Sequence, residues 1–406
     1  MAVGLSSKLP SLLPVSGVRW GVAQAGIKYP DRYDVALMEI ADGAMTAGVY
    51  TRNAFCAAPV VVAKRHGASA PSRYLLINSG NANAGTGLPG MRAAEDSCEA
   101  AASLMGCDSQ SVLPFSTGVI GELLPVAKIA AALPAARESL SESGWVDAAN
   151  AIMTTDTVPK GVSRQLTLAG EVVTITGIAK GSGMIRPDMA TMLAYVATDA
   201  AVAPELLQQL LKEASDKSFN AVTVDGDTST NDACVLVATG RTGVGFSSCA
   251  DAGFDKFSAA ITDVCQVLAQ AMIRDGEGAS KFVTIEVCDG ESEAECRQVA
   301  YTVAHSPLVK TALFASDPNW GRILAAVGRA GVESLDVSKV DLYLGDVRIV
   351  QNGGLDPRYT EEAGQAVMDQ DEILIRVCLS RGAAEAVVWT TDLSYEYVKI
   401  NAEYRS

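Results

Sequence analysis

The stretch Lys180-Gly-Ser-Gly-Met-Ile-Arg-Pro-Asp-Met-Ala-Thr-Met-Leu193 decides how this chain folds. Glycines on both sides of Ser182 permit backbone angles that other residues rarely adopt. Pro187 stiffens the chain and restricts the residue before it. The run from 191 to 196 then has the apolar and β-branched composition of a strand. The segment therefore predicts a constrained, irregular turn that runs directly into a buried strand.

The junction between Ala190 and Thr191 is suited to self-cleavage. A strained linkage would expose the Ala190 carbonyl to the Thr191 hydroxyl, and attack would convert the amide into an ester that water hydrolyses. The product is an N-terminal threonine, whose amine has a pKa of roughly 7.7–8.0 and can accept the proton of its own hydroxyl. Taken alone, a Gly-Ser-Gly run before a strand usually marks an ordinary loop. The local residues therefore leave both interpretations open.

Composition limits the class of protein. The chain has 406 residues, of which 49% are hydrophobic, so it can bury the core of one large domain or of two domains. A net charge of −15 opposes general binding to DNA, RNA or an anionic membrane. The N-terminus lacks a charged start followed by an apolar stretch, and no apolar run of about eighteen residues occurs. We expect a cytoplasmic protein that handles small molecules, without nucleic-acid or membrane partners.

Cysteine and histidine usage argues against a metal centre. The nine cysteines are scattered, odd in number and free of any Cys-x-x-Cys pair, so neither a disulfide framework nor a zinc site is expected. The two histidines, His66 and His305, stand outside recognisable motifs. A nucleophile that needs no histidine is consistent with this composition.

Periodicity predicts a mixture of helices and paired strands. A hairpin is expected over 164–179 with its turn at Ala169-Gly170, and a long amphipathic helix over 254–273. The β-branched residues from 57 to 63 predict a strand. Because strands come in hairpin-like pairs and do not alternate regularly with helices, an α+β fold is favoured over a doubly wound parallel sheet. A domain boundary is plausible between residues 280 and 290.

A series of further stretches follows in order along nearly the whole chain: Asn78-Ser-Gly-Asn-Ala-Asn83, Ser116-Thr-Gly-Val-Ile-Gly-Glu122, Met153-Thr-Thr-Asp-Thr157, the segment 180–193, Phe219 to Asp232, Asp275-Gly-Glu-Gly-Ala-Ser280, Asp317-Pro-Asn-Trp-Gly-Arg322 and Asn401-Ala-Glu-Tyr-Arg-Ser406. This series resembles the ornithine acetyltransferase family, also called the bifunctional glutamate N-acetyltransferase/amino-acid acetyltransferase of arginine biosynthesis. The chain departs from the family pattern at Arg186 and Asp188, where alanine and asparagine are common, and at Gly85, where cysteine is often found.

The resemblance implies an architecture. It predicts a layered α/β/β/α sandwich of the self-cleaving ornithine acetyltransferase type, with a main catalytic domain over residues 1–282. A smaller α+β domain over residues 283–406 would return its tail to the site. Cleavage between Ala190 and Thr191 would give an α chain, 1–190, and a β chain, 191–406, and two of each would form a tetramer.

The resemblance also implies a mechanism. N2-acetyl-L-ornithine would pass its acetyl group to the Thr191 hydroxyl, and L-glutamate would then take it to give N-acetylglutamate. Thr117 and Gly118 match the family's oxyanion-hole positions. The substrate-binding positions carry over to Thr154, Lys180, Thr191, Glu277, Asn401 and Ser406. No bound cofactor or metal is implied, and acetyl-CoA is a candidate co-substrate.

Two other functions remain open at the level of sequence. The first is an N-terminal-nucleophile aminopeptidase or amidase of related fold, which would pass the acyl group to water. The second is a non-enzymatic small-molecule binding protein with a degenerate site. The oxygen-rich run from Asp225 to Asp232 also resembles a calcium loop, but it lacks the glutamate ligand at the twelfth position. We interpret this run as a structural loop that supports the site.

Overall fold

The computed structural model describes residues 2–186 and 192–403. Its helices are α1 (Ala58–Ser69), α2 (Gly87–Met105), α3 (Val126–Glu138), α4 (Trp145–Ala151), α5 (Pro204–Asp216), α6 (Phe254–Arg274), α7 (Glu293–Ala304), α8 (Pro307–Phe314), α9 (Trp320–Gly328), α10 (Glu361–Met368) and α11 (Tyr395–Ala402). Its strands are β1 (Val18–Ala23), β2 (Val35–Ile40), β3 (Met45–Tyr50), β4 (Tyr74–Asn81), β5 (Val112–Val119), β6 (Lys160–Leu168), β7 (Glu171–Lys180), β8 (Leu193–Thr198), β9 (Ala201–Val202), β10 (Ala233–Ala238), β11 (Gly245–Phe246), β12 (Phe282–Gly290), β13 (Asp341–Leu344), β14 (Val347–Gln351), β15 (Gly354–Leu355), β16 (Glu372–Cys378) and β17 (Ala384–Thr391).

A four-stranded sheet of order β1-β2-β4-β5 forms one half of a sandwich. Strands β4 and β5 are parallel, and the other neighbours are antiparallel. One face of this sheet packs against α1, α2 and α3, where alanines on α2 let the helix approach the strands closely. The opposite face is apolar and faces the second sheet. Both faces are therefore buried, which explains why β4 begins as a continuous apolar run.

The second sheet has five strands in the order β3-β10-β8-β7-β6. Its central strands β8 and β10 are buried along their whole length. In β8, Leu193, Tyr195 and Ala197 point to the core between the sheets, whereas Ala194 and Val196 point to the core beneath α5 and α6. This alternation follows from the two-residue period of a strand. The layers are thus helix, sheet, sheet and helix, as the resemblance predicted.

Aromatic side chains fill the space between the two sheets. The ring of Tyr195 packs edge-on against Trp20 and Phe115, with centroids 5.7 Å and 5.4 Å apart. Trp20 makes a similar contact with Trp145 of α4. Edge-to-face packing of large rings is favourable beyond simple burial. It fixes the spacing of the sheets whose ends carry the candidate site.

A third sheet, six-stranded with the order β15-β14-β13-β16-β12-β17, forms the C-terminal part. One of its faces packs against α7, α8, α9 and α10 in a core of its own that begins at Val283. Phe282, one residue earlier, belongs instead to the core beneath α5 and α6. The division into domains at residues 282 and 283 remains a prediction.

Most predicted elements are confirmed with small shifts. The hairpin is formed by β6 and β7 with Ala169 and Gly170 at its turn, and the long helix is α6. The strand predicted over 57–63 is wrong, because these residues belong to α1. Pro59 sits in the first helical turn, where its missing N–H costs nothing, and Val62, Ala63 and His66 recur on the buried face at helical spacing. In the described residues we find no helix with the length and apolarity needed to cross a membrane.

Candidate active site

A cavity of about 290 Å³ opens where the two sheets of the sandwich meet the C-terminal helix α11. Its walls include predicted site residues from widely separated parts of the chain: Thr117 and Gly118 on β5, Thr154 after α4, Lys180 at the end of β7, Glu277 after α6, and Asn401 on α11. Ala190, Thr191 and Ser406 lie outside the described residues. The structure therefore brings together every predicted site residue that it describes.

Gly118 is required by the close approach of β5 to β4. Its φ is +135°, and a Cβ built on it would lie 2.2 Å from the carbonyl carbon of Gly80. The register between the two strands shifts at this point, where Asn81 pairs with both Thr117 and Val119. Any larger residue would push the strands apart. The backbone at Thr117 and Gly118 thus departs from the regular ladder where it borders the cavity.

Lys180 supplies a positive charge next to the predicted oxyanion-hole threonine. Its Nζ donates a hydrogen bond of 3.1 Å to Oγ1 of Thr117. Burial lowers the pKa of the Lys180 ammonium, and the Asp156 and Glu277 carboxylates act against that shift. The side chain is therefore fixed in the cavity wall and does not extend into solvent.

Glu277 supplies a negative charge in the same cavity. It is 8% exposed, and its backbone N–H donates to the carbonyl of Ser182 at 2.8 Å. Oε2 accepts a hydrogen bond of 2.8 Å from Nδ2 of Asn401, so α11 is tied to the site. A Cβ on Gly183 would lie 2.3 Å from the Glu277 carboxyl group. Gly183 therefore leaves the room that this carboxylate needs.

A buried ion network lies behind the cavity. Nζ of Lys160 lies 2.6 Å from Oδ1 of Asp156 and 2.7 Å from Oδ2 of Asp275, and the three side chains are at most 1% exposed. Burial disfavours ionisation of Asp156, but Lys160 and Lys180 hold the pKa of its carboxyl below the ordinary value. Asp156 therefore stays charged near neutral pH beside the Lys160 ammonium, and Asp275 contacts that ammonium from the other side.

The network fixes the backbone of the cavity wall. Asp156 accepts hydrogen bonds from the N–H of Thr154 at 3.0 Å and from the N–H of Gly181 at 2.8 Å. The backbone carbonyl of Asp275 accepts a hydrogen bond of 2.6 Å from the hydroxyl of Ser182. Two members of the network, Asp156 and Asp275, thus hold the peptides next to Lys180 and Glu277.

Sequence reasoning missed this supporting role. Asp156 and Asp275 lay inside stretches that matched the family, but no role was assigned to them. Lys160 lay outside every matched stretch. Its spacing of four residues from Asp156 was the one local signal, and an isolated lysine is usually exposed. The partner Asp275 is more than a hundred residues away and is not visible in local sequence.

The loop that begins at Asp225 holds the chain just before the residues outside the described range. Oδ2 of Asp225 accepts from the N–H of Met184 at 2.6 Å, and Oδ1 accepts from that of Ile185 at 2.9 Å. Tyr397 of α11 donates to the same carboxylate at 3.3 Å. These protein donors occupy both oxygens, which supports a structural role for the loop. Met184 itself has a φ of +53°.

A second cavity of about 190 Å³ shares Gly118, Val119, Thr154 and Thr155 with the first one. Its other walls include Lys28, Arg32 and the C-terminal residues Ile400 and Glu403. The shared residues therefore border both cavities.

The layered fold and a cavity that presents an ammonium, a carboxylate and hydroxyl groups together define an enzyme that acts on small molecules. The chain belongs to the ArgJ family, whose model matches residues 19–406.

Full-length relatives are known. The chain is 59% identical over 407 residues to the arginine biosynthesis bifunctional protein ArgJ of Pseudomonas fluorescens (strain Pf0-1), with 100% of both chains covered. It is 58% identical, with the same coverage, to the protein of that name from Pseudomonas syringae pv. tomato (strain ATCC BAA-871 / DC3000). A solved structure of the arginine biosynthesis bifunctional protein ArgJ from Bacillus halodurans is 35% identical with a TM-score of 0.48, covering 50% of this chain and 95% of that one.

Proposed function

We propose that this chain is an acetyltransferase of arginine biosynthesis that moves the acetyl group of N2-acetyl-L-ornithine to L-glutamate through an ester on Thr191. The observation that carries the proposal is the convergence of Thr117, Gly118, Lys180 and Glu277 on one cavity. Membership in a family whose relatives are named arginine biosynthesis bifunctional proteins supports the pathway.

In the first half-reaction the Thr191 hydroxyl attacks the acetyl carbonyl of N-acetylornithine. Its proton passes to the α-amine that self-cleavage frees at Thr191, and from there to the departing α-nitrogen of ornithine as the C–N bond breaks. Thr117 and Gly118 stabilise the oxyanion, and each such donor typically lowers the barrier by about 2.7–4 kcal/mol. The products are ornithine and acetyl-Thr191.

In the second half-reaction the amine of glutamate attacks the ester. The new C–N bond forms as the C–O bond to Thr191 breaks, and the proton lost from the amine returns to the threonine oxygen. N-acetylglutamate leaves, and ping-pong kinetics are expected. Acetyl-CoA would acetylate the same Thr191 hydroxyl as a second acetyl donor. The proposed reaction requires no bound cofactor or metal.

The charges of the cavity match the charges of the substrates. Lys180 would bind the carboxylate that both amino acids carry, and Glu277 would bind the side-chain ammonium that only the ornithine compounds carry. Thr154 and Asn401 supply neutral hydrogen bonds, and Ser406 would close the site from the tail. The hydrogen bond from Asn401 to Glu277 supports a role for the tail, because α11 contacts the carboxylate directly.

Self-cleavage between Ala190 and Thr191 would create the nucleophile without separating the two chains. Strands from both sides of the cut are interleaved in one sheet: β10 lies between β3 and β8, and β8 pairs with β7. An α chain and a β chain would therefore share one core. We extend the proposal to a cytoplasmic tetramer of two α and two β chains.

Intact mass spectrometry of the wild type beside Thr191→Ala tests the cleavage. We expect fragments 1–190 and 191–406 from the wild type and one uncut chain from the variant. A wild-type protein that stays whole and is nevertheless active would refute the mechanism.

An assay with N-acetylornithine and glutamate tests the transfer. N-acetylglutamate should form faster than free acetate, whereas an aminopeptidase or amidase of related fold would release acetate. An inert protein that stays uncut would instead support simple binding.

Glu277→Gln tests substrate recognition in the same assay. The substitution removes the charge but keeps an oxygen to accept from Asn401. It should raise the KM for N-acetylornithine more than the KM for glutamate, because only the donor carries a side-chain ammonium. Equal changes in both values would contradict the role given to Glu277.

A further inference from the structure

Two cysteines lie side by side in the C-terminal sheet, and neither lines the cavity of the candidate active site. Cys288 of β12 and Cys378 of β16 are in register on neighbouring parallel strands. Their Sγ atoms are 3.0 Å apart. The adjacent residues Val287 and Val377 point into the C-terminal core, so the alternation of the strands places both thiols on the opposite face of the sheet. Both cysteines are partly exposed, and reagents and ions can reach them.

Asp289 brings a carboxylate to the same place. Its φ is +57°, a left-handed conformation that few residues other than glycine adopt, and the register of β12 shifts between Val287 and Gly290. As a result its side chain stays on the side of Cys288, with Oδ2 3.8 Å from that Sγ. The two sulfurs and one carboxylate oxygen all lie within 4.8 Å of one another.

The surrounding backbone holds this group in place. The carbonyl of Cys288 accepts from the N–H of Leu379 at 3.0 Å, and the carbonyl of Asp289 accepts from Arg381 and Gly382 at 2.7 Å and 2.9 Å. The end of β12 is thereby attached to the turn that follows β16. The potential ligands are therefore largely preorganised, which reduces the entropic cost of binding an ion.

The local field favours a cation. Acidic groups surround both sulfurs, with Asp289 and Glu286 near Cys288 and Asp341 near Cys378. Glu286 is paired with Arg376 at 3.1 Å and Asp341 with Arg348 at 3.3 Å, and Asp289 adds a further negative charge next to the sulfurs. A divalent cation is favoured beside this carboxylate and stabilises the thiolate form of both cysteines.

We propose that Cys288, Cys378 and Asp289 form a binding site for a borderline-soft divalent cation of the Zn²⁺ type. Binding displaces the two thiol protons and forms two metal–sulfur bonds and one metal–oxygen bond, and a water molecule takes the fourth position. Bonds of about 2.3 Å in a tetrahedral site place the sulfurs about 3.8 Å apart. The thiols therefore need to separate by less than an ångström, which rotation of the side chains supplies.

The site would act on stability and not on the transfer reaction. It links the ends of β12 and β16, whose registered pairing begins at Phe282 and Glu372. An ion that binds the folded chain alone raises its melting temperature in proportion to the logarithm of ion concentration. The inference is independent of the proposed acetyl transfer, because none of the three ligands borders either cavity.

Titration of the reduced full-length protein with Zn²⁺, and with Co²⁺ as a spectroscopic probe, tests the proposal. A phosphine reductant avoids competing thiols. We expect one ion per chain, a thiolate-to-cobalt charge-transfer band and a higher Tm.

Variants of the three ligands test the site directly. Cys288→Ser and Cys378→Ser should each lose the band and the shift in Tm, and Asp289→Asn should bind the ion with a higher dissociation constant. Cys249→Ser is the matched control, because Cys249 is an exposed cysteine outside the cluster, and it should behave like the wild type.

Three results would overturn the inference. One is the absence of the cobalt band in the wild type, and another is a band that survives in Cys288→Ser. The third is a thiol count showing that the reduced pair has closed to a disulfide under the titration conditions, so that no thiolates remain for the ion.

Discussion

Two lysines are buried in different parts of the molecule, and their surroundings are opposite. Lys160 in the sandwich lies between two carboxylates at 2.6 Å and 2.7 Å. Lys310 of α8, in the C-terminal part, donates instead to neutral oxygens, among them the hydroxyls of Thr390 and Thr391 at 3.0 Å and 3.4 Å. Both lysines are at most 4% exposed. The two ammonium groups are therefore buried to a similar extent, but carboxylates surround the first and neutral oxygens the second.

The two buried lysines have different structural roles. The Asp156 carboxylate also holds the peptides of the cavity wall, and the Asp275 carboxylate accepts from the N–H groups of Thr157 and Val158, so this ion network couples distant segments of the chain. The oxygens around Lys310 belong to the end of β17, so they connect α8 with that strand. Burial lowers the pKa of Lys310 to about 8, which shows that its hydrogen bonds do not fully compensate the lost hydration.

The largest effect on stability is expected from Lys160→Met. Removing the ammonium leaves Asp156 and Asp275 buried and uncompensated, which typically costs about 3–5 kcal/mol of unfolding free energy. Urea denaturation measures the loss. Adding Asp156→Asn and Asp275→Asn to the variant should recover part of it. If Lys160→Met proves no more destabilising than Lys310→Met, the distinction between the two lysines is wrong.

Asp156→Asn should affect catalysis more than folding. The amide keeps one acceptor for the N–H groups of Thr154 or Gly181 but loses the charge. Loss of charge-assisted hydrogen bonds worth about 1.5–3 kcal/mol corresponds to a fall in kcat/KM on the order of tenfold to a hundredfold. Steady-state kinetics of the proposed transfer reaction measure it. Unchanged kinetics, with Tm lowered, would mean that the network is purely structural.

Lys310→Met should cost about 1–3 kcal/mol, because the oxygens that lose their hydrogen-bond donor are neutral. The pH dependence gives the sharper comparison. Below pH 8 both the folded and the unfolded wild type carry the proton, and the full penalty of burying the charge applies. Between about pH 8 and 10.4 only the unfolded state retains it, so the wild type should gain stability relative to the variant as pH rises. A difference in unfolding free energy that does not vary over this range would contradict the depressed pKa.

The smallest effect is expected at a surface ion pair. Asp263 lies 2.7 Å from Arg164, and both side chains are more than 40% exposed. Asp263→Asn should change the unfolding free energy by less than about 1 kcal/mol, since solvent screens the pair. The same kinetic and urea measurements supply the baseline against which the buried lysines are judged. A loss as large as that of Lys160→Met would show that proximity, and not burial, governs these pairs.

The sequence predicted those parts of the fold that depend on local pattern. The hairpin of β6 and β7 and the helix α6 follow from turn residues and helical spacing, and both are confirmed within a few residues. The prediction failed over 57–63, where β-branched valines favoured a strand. There, burial of one helical face against the first sheet outweighed propensity.

The candidate site was predictable only in part. Lys180 and Glu277 were found through family resemblance, because an isolated lysine or glutamate carries no signal of its own. Lys160 was missed because its meaning depends on Asp275, which only the folded chain brings near. The order of layers also came from the resemblance, since periodicity shows which face of a strand is apolar but not what covers it.

The interleaved second sheet has a consequence for the order of events in the life of the protein. Strand β10 must be inserted between β3 and β8 before that sheet is complete, so residues up to Ala238 have to be synthesised before the segment around residue 190 acquires its native surroundings. Under the proposed self-cleavage, we expect the cut to follow folding. Translation of one messenger RNA then gives α and β chains in equal numbers, and folding of the uncut precursor assembles them before the bond between them is cut.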